Sequence, residues 1–267
     1  MAYTKENRIF SDALSDTYEI VDEFNVHYSM TEYYTKGITN QAYVNLFEKK
    51  YLSLYRSLWT LKDLSLKHIP RIVHIEDSNG ILVVWESFYG MSLKEYIELY
   101  SNRVPYKAIL NVMSSLLDDC ETAHLNGLYF AVSPDTIYLT DNGVLSLNAM
   151  VNPSLNIYST IICIAQSIFF MLTGYFYGNL QVPVDVYIPS PLRELLNDTL
   201  TGRREFTGIG EFHNALRRAV RDAESEDNAN EKAIHSKRRM YSAIIAAVSL
   251  GIGCFSILIL ALKLFIL

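Results

Sequence analysis

The segment 241–262 constrains this chain most, because its 22 residues, YSAIIAAVSLGIGCFSILILAL, include no charged side chain. At 1.5 Å rise per residue, a helix of this length spans roughly 33 Å, which is enough for a bilayer hydrocarbon core of about 30 Å. A helix buried in a soluble domain would need a polar face, and this segment has none. We therefore expect 240–267 to form a single-pass transmembrane anchor, with the lipid bilayer as a partner.

Basic residues lie directly before this segment and indicate its orientation. Lys237, Arg238 and Arg239 precede it, whereas one charged residue, Lys263, follows it. Because basic flanks stay on the cytoplasmic side of a membrane, the N-terminal part of the chain is expected in the cytoplasm. The insertion signal lies near the C-terminal end, so we expect a tail-anchored protein of the cell membrane.

Small residues recur within the apolar segment. Ala243, Ala247 and Gly251 are spaced four apart and would share one helix face, and such a face lets two membrane helices approach closely. Small residues are also common in membrane helices without this role. Self-association through this face and ordinary membrane-helix composition both remain open.

Composition excludes some functions. The formal net charge of −6 argues against a nucleic-acid binder, which would usually show a basic face. Cys120, Cys163 and Cys254 are far apart, and no pair has metal-ligand spacing. They are expected to be free thiols in a reducing compartment, and no metal site is expected.

The remaining sequence changes character along its length. Residues 18–36 carry β-branched and aromatic side chains with alternation, which predicts strands. Residues 43–64 carry apolar side chains at helical spacing, which predicts a helix. Further on, Asn79-Gly80 joins two strand-like runs as a hairpin turn, and Ser92 with Glu95 predicts a helix-starting capping box. Later elements are predicted as helices at 105–126, 156–174, 190–201 and 208–222, with one more hairpin before 156.

Two segments of the later part need separate interpretation. The apolar stretch 161–172 is too short to span a bilayer and predicts a buried core helix. The charged stretch 221–239 lacks large apolar residues and predicts a solvated linker or helical stalk before the membrane anchor.

Several stretches, in the same order, resemble motifs of bacterial serine/threonine protein kinases. GLYFAVSPDTIYL resembles the catalytic loop, LVVWESFYG resembles the hinge, and TIICIAQSIFFMLTG resembles a buried helix of the large lobe. EYYTKGI, TDNGVLSLNAM and the residues from 192 to 220 resemble three further kinase segments. The resemblance implies a two-lobed, protein-kinase-like α+β fold over 18–220, after an N-terminal extension of 1–17. A small β-rich lobe would cover about 18–86 and a larger helical lobe about 87–220.

Phosphoryl transfer requires a glycine-rich loop, a lysine held by a glutamate, a proton-accepting aspartate, and metal ligands. The first 36 residues contain no glycine. By the resemblance, the strand lysine falls on Thr31 and its glutamate near Leu54. The remaining positions fall as follows: the aspartate base on Ala131, a phosphate-contacting lysine on Ser133, the metal-binding asparagine on Thr136, and the metal-binding aspartate on Ala149.

These positions imply a pseudokinase, since no acid or cation stands where the chemistry needs it. Trp85 falls on the gatekeeper position, where it would crowd an adenine, and Thr160 falls where an aspartate normally braces the catalytic loop. We therefore expect no enzyme activity and no cofactor. The role expected is protein binding, as a scaffold or in signalling, with a protein partner that the sequence does not identify.

Two alternatives stay open. One is an atypical kinase or nucleotide-binding enzyme with rearranged catalytic groups. The other is a pseudokinase subunit of a membrane secretion machine, since the type VII secretion subunit resembles this layout. That subunit has an extracytoplasmic domain, and this chain is expected to end in the membrane.

Overall fold

The chain divides by packing into two units, 1–220 and 221–267. The computed structural model describes the following residues: 3–11, 15–33, 41–77, 80–86, 90–100, 103–140, 145–147, 155–178, 186–229 and 231–232. In the second unit, 221–229 and 231–232 are helical. Within the described ranges, no helix has both the length and the apolar character to cross a membrane. The anchor expected at 240–267, with its face of Ala243, Ala247 and Gly251, lies outside them.

The first unit begins with a five-stranded antiparallel sheet and one long helix, which form the small lobe. The strands are β1 (Tyr3–Ser11), β2 (Ser15–Asp22), β3 (His27–Tyr33), β4 (Ile72–Asp77) and β5 (Ile81–Glu86). Their spatial order is β1-β2-β3-β5-β4, and helix α1 (Gln41–Asp63) connects β3 to β4.

Side chains alternate between the two faces of this sheet, as the strand period requires. Ile20, Met30 and Val84 are buried together on one face. Val83 lies on the opposite face and belongs to the main core, to which α1 contributes Leu58. The strands predicted from the alternation in residues 18–36 are therefore confirmed in β2 and β3.

The sheet starts earlier than the sequence suggested. Residues 3–11, expected as part of an extension over 1–17, form the edge strand β1, which pairs with β2. Residues 4–8 are all exposed. An exposed run of this kind carries no hydrophobic alternation, and so residues 4–8 offered no strand signal in the sequence.

The large lobe follows with a second, three-stranded sheet and a group of helices. Its strands pair in the order β6-β7-β8. The elements are β6 (Gly90–Ser92), α2 (Leu93–Tyr100), α3 (Ile109–Leu125), β7 (Ile137–Thr140), β8 (Leu145–Leu147), α4 (Ile157–Thr173) and α5 (Ser190–Leu200), with further helical residues at 209–220.

Helix boundaries follow the local capping signals. The predicted capping box is confirmed, since Glu95 N–H donates to Ser92 Oγ at 3.2 Å and Ser92 N–H donates to Glu95 Oε2 at 3.0 Å. Asn156 caps α4 through Ser159 N–H, and Gly174 ends α4 with a φ of 76°, a conformation that favours glycine.

The main core runs continuously through both lobes. Leu58 of α1 and Trp85 of β5 belong to the same buried cluster as Leu116 of α3 and Ile168 of α4. The apolar stretch at 161–172 is confirmed as a core helix, because α4 buries residues along most of its length. This shared core joins the small lobe to the large lobe.

Candidate functional site

Thr31 occupies the strand position that the resemblance assigns to the kinase lysine. It lies on β3 directly opposite Thr17 of β2 and Val83 of β5. Its residue is 6% exposed, and its Oγ1 lies 3.1 Å from Thr17 Oγ1, within hydrogen-bonding distance. A threonine hydroxyl carries no charge, so this position contributes a neutral hydrogen bond inside the sheet.

The assigned glutamate and gatekeeper positions hold apolar side chains, those of Leu54 and Trp85. Leu54, at the position assigned to the glutamate, is half-buried on α1 and packs against the main core. Trp85, at the assigned gatekeeper position, is 6% exposed and belongs to that core. Both side chains contribute packing, and neither offers an oxygen or a charge.

The loop 131–136 joins three of the predicted positions through the Thr136 hydroxyl. This hydroxyl donates to the Ala131 carbonyl at 2.6 Å and accepts from the Ser133 N–H at 2.8 Å. Ser133 Oγ lies 3.2 Å from the same atom. A hydroxyl has one proton to donate and two lone pairs. The donor and an acceptor site are therefore used to brace the loop.

Helix α4 is hydrogen-bonded to this loop. The Ser167 hydroxyl lies 3.2 Å from the Val132 carbonyl and 2.9 Å from the Cys163 carbonyl. Thr160, at the position assigned to the bracing aspartate, is 1% exposed, and its Oγ1 has no hydrogen-bond partner within the described ranges. Ser167 therefore fixes the loop to α4, whereas Thr160 does not.

The acidic residue of this loop, Asp135, points to a lysine. Its Oδ1 lies 3.1 Å from Lys94 Nζ, and the hydrogen bond to Asp135 raises the pKa of Lys94. The Lys94 N–H donates to the Pro134 carbonyl at 3.1 Å. Asp135 is exposed, and an exposed ion pair of this kind contributes little stability. The pair links the start of α2 to the loop.

The α1–β4 connection is hydrogen-bonded to α3, a contact that was not predicted from the sequence. Asp119 Oδ2 accepts from the His68 N–H at 2.7 Å and lies 3.0 Å from His68 Nδ1. The His68 carbonyl accepts from the Leu147 N–H at 2.6 Å. Asp119 lies three residues after Leu116 and four before Ala123, both buried. Its place beside the apolar face of α3 was the available signal.

A second histidine, His213, is buried in the large lobe. His213 is 3% exposed, its Nε2 lies 3.1 Å from Ser114 Oγ, and its Nδ1 lies 3.3 Å from Asp118 Oδ1. Burial lowers the pKa of His213, and the charge of Arg217 adds to that effect. This group joins α3 to the helical residues 209–220 and lies apart from the loop 131–136 in the chain.

The free thiols of the large lobe are poor nucleophiles. Burial raises the pKa of Cys120 to about 12, and burial also raises that of Cys163. Thiols with raised pKa values hold their protons at neutral pH. Neither thiol therefore supplies a reactive group to the candidate site.

The predicted positions are only partly covered by the structure. Ala131, Ser133 and Thr136 meet in one loop, and Thr31 bonds to a neighbouring strand. Ala149 and the connection 12–14 between β1 and β2 lie outside the described residues. A hollow of about 680 Å³ is lined by Glu86, Ser146 and residues between 61 and 71, and none of the predicted positions lines it.

No family model matches the chain, and no curated protein is detectably similar to it in sequence. Solved structures do match. The apo form of PpkA-294 has a TM-score of 0.61 at 11% identity, covering 82% of this chain and 95% of PpkA-294. Rad53 1–466, in complex with AMP-PNP, has a TM-score of 0.59 at 14% identity, covering 79% of this chain and 63% of Rad53 1–466.

The fold is protein-kinase-like. PpkA and Rad53 are protein kinases, and both match over most of this chain. The kinase-like α+β architecture expected from the sequence, with a sheet lobe and a helical lobe, is therefore confirmed. At identities of 11% and 14%, the likeness shows the fold alone.

Proposed function

We propose that this chain is a membrane-anchored pseudokinase, whose kinase-like domain binds a protein partner and transfers no phosphate. The observation that supports it most is the hydrogen bonding of the Thr136 hydroxyl. Its hydroxyl holds the loop 131–136 in shape by bonding Ala131 and Ser133. The side chain at the assigned metal-ligand position therefore has a structural role that competes with binding an ion.

The chemistry of the neighbouring positions supports the same proposal. Mg²⁺ in phosphoryl transfer is held by carboxylate and amide oxygens, and the phosphates are held by a lysine. Thr31 offers a hydroxyl that already meets Thr17, Ala131 offers a methyl group, and Leu54 offers an apolar chain. A nucleotide would find neither the cation nor the metal that stabilise its charge.

Protein binding is the role that such a fold retains. The domain has a continuous buried core, so it presents a defined surface even without catalysis. An anchor at 240–267 would confine this surface to the membrane plane, where a membrane-bound partner meets it at raised effective concentration. A scaffold or regulatory module needs only these two properties.

Nucleotide binding is the sharpest test of the pseudokinase proposal. The full chain, purified in detergent, is expected to show the same melting temperature with and without ATP and Mg²⁺. A ligand at a hundredfold excess over its Kd would stabilise the fold by roughly 2.7 kcal/mol, which a thermal scan detects. ATP with EDTA serves as the control for metal-independent binding.

A clear rise in melting temperature that needs Mg²⁺ would contradict the pseudokinase proposal. That result would favour the atypical kinase or nucleotide-binding enzyme. Transfer of labelled phosphate to a generic protein substrate would then measure its activity.

The membrane proposal has its own test. The full chain is expected to stay with membranes after an alkaline wash, and a variant lacking 240–267 is expected in the soluble fraction. In inverted vesicles, added protease is expected to cut within 221–236, because the basic flank places this segment in the cytoplasm. Cleavage of that segment from outside intact cells would contradict the orientation.

A further inference from the structure

Three potential metal ligands come together on the first three strands of the small lobe. Glu6 lies on β1, Glu19 on β2 and His27 on β3. His27 Nδ1 lies 3.2 Å from Glu19 Oε1 and 4.0 Å from Glu6 Oε2. The three ligand atoms all lie within 4.8 Å of one another. The group is partly open to solvent, since its side chains are 24–42% exposed.

The strand register explains why the two carboxylates approach each other. Lys5 pairs with Ile20 and Arg8 pairs with Tyr18, so β1 holds one extra residue in this interval. The bulge sets Glu6 and Asn7 against Glu19. A bulge re-aims side chains, and bulges are frequent beside functional sites. Like charges directly opposite on neighbouring strands are destabilising, so this arrangement favours a bridging cation.

The cations carried by β1 pair with other carboxylates. Lys5 Nζ lies 2.7 Å from Glu32, and Arg8 lies 3.9 Å from Asp16. Lys5 pairs across the strands with Ile20, so it shares the face of the Ile20–Met30–Val84 cluster. Glu19 alternates with Ile20 and lies on the opposite face. Within the described ranges, Lys5 and Arg8 therefore pair with Glu32 and Asp16, and the ion pairs of Glu6 and Glu19 are with His27.

We propose that Glu6, Glu19 and His27 bind a divalent transition-metal ion, of which Zn²⁺ fits best. An imidazole ligand favours transition metals, whereas Mg²⁺ and Ca²⁺ prefer oxygen ligands alone. Zn²⁺ binds nitrogen and oxygen ligands at about 2.1 Å, which places tetrahedral ligands about 3.4 Å apart. The Glu19–His27 pair already has this spacing, whereas Glu6 Oε2, at 4.0 Å from His27 Nδ1, must move inward to reach it. Water completes the coordination.

The bound ion would act on the small lobe. Glu19 shares its face of β2 with Thr17, and His27 shares its face of β3 with Thr31, because residues two apart lie on one face. The ion therefore lies on the face that carries the assigned lysine position. It would join three strands and relieve the repulsion between Glu6 and Glu19. This site does not depend on whether the chain transfers phosphate.

Zinc titration of the full, tag-free chain in detergent tests the site. Calorimetry with Zn²⁺ alone is expected to show one high-affinity site per chain, together with a raised melting temperature. Glu6→Gln, Glu19→Gln and His27→Gln are each expected to weaken that binding about tenfold or more, since even an outer-shell partner of a metal ligand is worth that much. Glu32→Gln is the matched control, because it removes a carboxylate from the opposite face of the same sheet, and it should leave the affinity unchanged.

Glu6→Gln also has a signature that mere loss of structure would not produce. Without metal, this variant should be at least as stable as the natural chain, because it removes one of two opposed charges. With Zn²⁺, it should lose most of the thermal shift. Because Glu6 is exposed on an edge strand, Glu6→Gln should fold even if His27→Gln does not, and the site can still be tested.

Two results would overturn the proposal. The first is that the natural chain shows no one-to-one binding of Zn²⁺. The second is that the Glu6→Gln and Glu32→Gln variants bind Zn²⁺ with equal affinity. The second result would assign the binding to adventitious surface carboxylates.

Discussion

In the small lobe, Thr31 meets Thr17 through two hydroxyl groups on neighbouring strands, whereas in the large lobe Thr136 directs its hydroxyl to backbone groups of its own loop. Both threonines stand where the resemblance assigns a charged or amide side chain. Among the described residues, the Thr31 hydroxyl bonds to the Thr17 side chain. Thr136 bonds a backbone carbonyl, that of Ala131, and a backbone N–H, that of Ser133.

A threonine at an assigned catalytic position can therefore bond to another side chain, as Thr31 does, or to the backbone, as Thr136 does. A side-chain pair can be replaced as a pair, because no backbone group depends on it. Removing a side chain that bonds the backbone takes the partner from part-buried backbone groups, which costs free energy. We therefore expect position 136 to retain a structural role and position 31 to be defined by packing and by its lack of charge.

The largest effect is expected from Thr31→Lys. The position is 6% exposed and faces Val83, and Leu54 supplies no carboxylate to receive the ammonium group. An uncompensated buried charge should lower the free energy of unfolding by about 3 kcal/mol. Urea denaturation measures the change, with Thr31→Met as the control of similar length. Equal effects of Lys and Met would mean that an acidic partner or solvent reaches this position.

Thr136→Ala should have the next largest effect. It leaves the Ala131 carbonyl and the Ser133 N–H without their partner, so a loss of about 1–2 kcal/mol is expected. Thr136→Ser keeps the hydroxyl and should restore most of the stability. If Ala and Ser behave alike in urea denaturation, the hydroxyl does not brace the loop and the comparison fails.

His213 is a second polar group of the large lobe, and its contribution to stability should depend on pH. Burial lowers its pKa in the folded chain, so folding favours the neutral ring. An unfolded histidine gains a proton below about pH 6.5, and stability is therefore lost as the pH falls through that value and levels off below the folded pKa. Thermal scans from about pH 7 to pH 5 should show a shallower loss for His213→Gln. A loss of the same steepness would exclude His213 as its source.

The smallest effect is expected when both hydroxyls of the small-lobe pair are removed. Thr17→Val with Thr31→Val replaces two hydrogen-bonding groups by apolar groups of the same shape, which is often nearly neutral. We expect a change within about 0.5 kcal/mol, and a larger loss for Thr31→Val alone because it isolates Thr17. A double variant that is worse than the single one would show that these hydroxyls serve other groups.

Much of the architecture was readable from local patterns. The strand-like runs of β4 and β5, the Ser92–Glu95 cap and the apolar run of α4 each depend on residues close together in sequence. The strand β1 was missed because its exposed residues show no alternation. The placement of Thr136 in the loop was anticipated, but its bonds to Ala131 and Ser133 were not, since they depend on the turn that the loop adopts.

The sequence by itself determined the residue types at the assigned catalytic positions, the order of the helices and strands after β1, and the uncharged segment 241–262. These are local properties, because side-chain chemistry and periodicity need no knowledge of distant residues. Tertiary structure alone decided that His68 meets Asp119, 51 residues away, and that Glu6 meets Glu19 and His27. Such contacts depend on strand register and on how helices pack, and a one-residue change of register would turn each side chain of a strand to the other face.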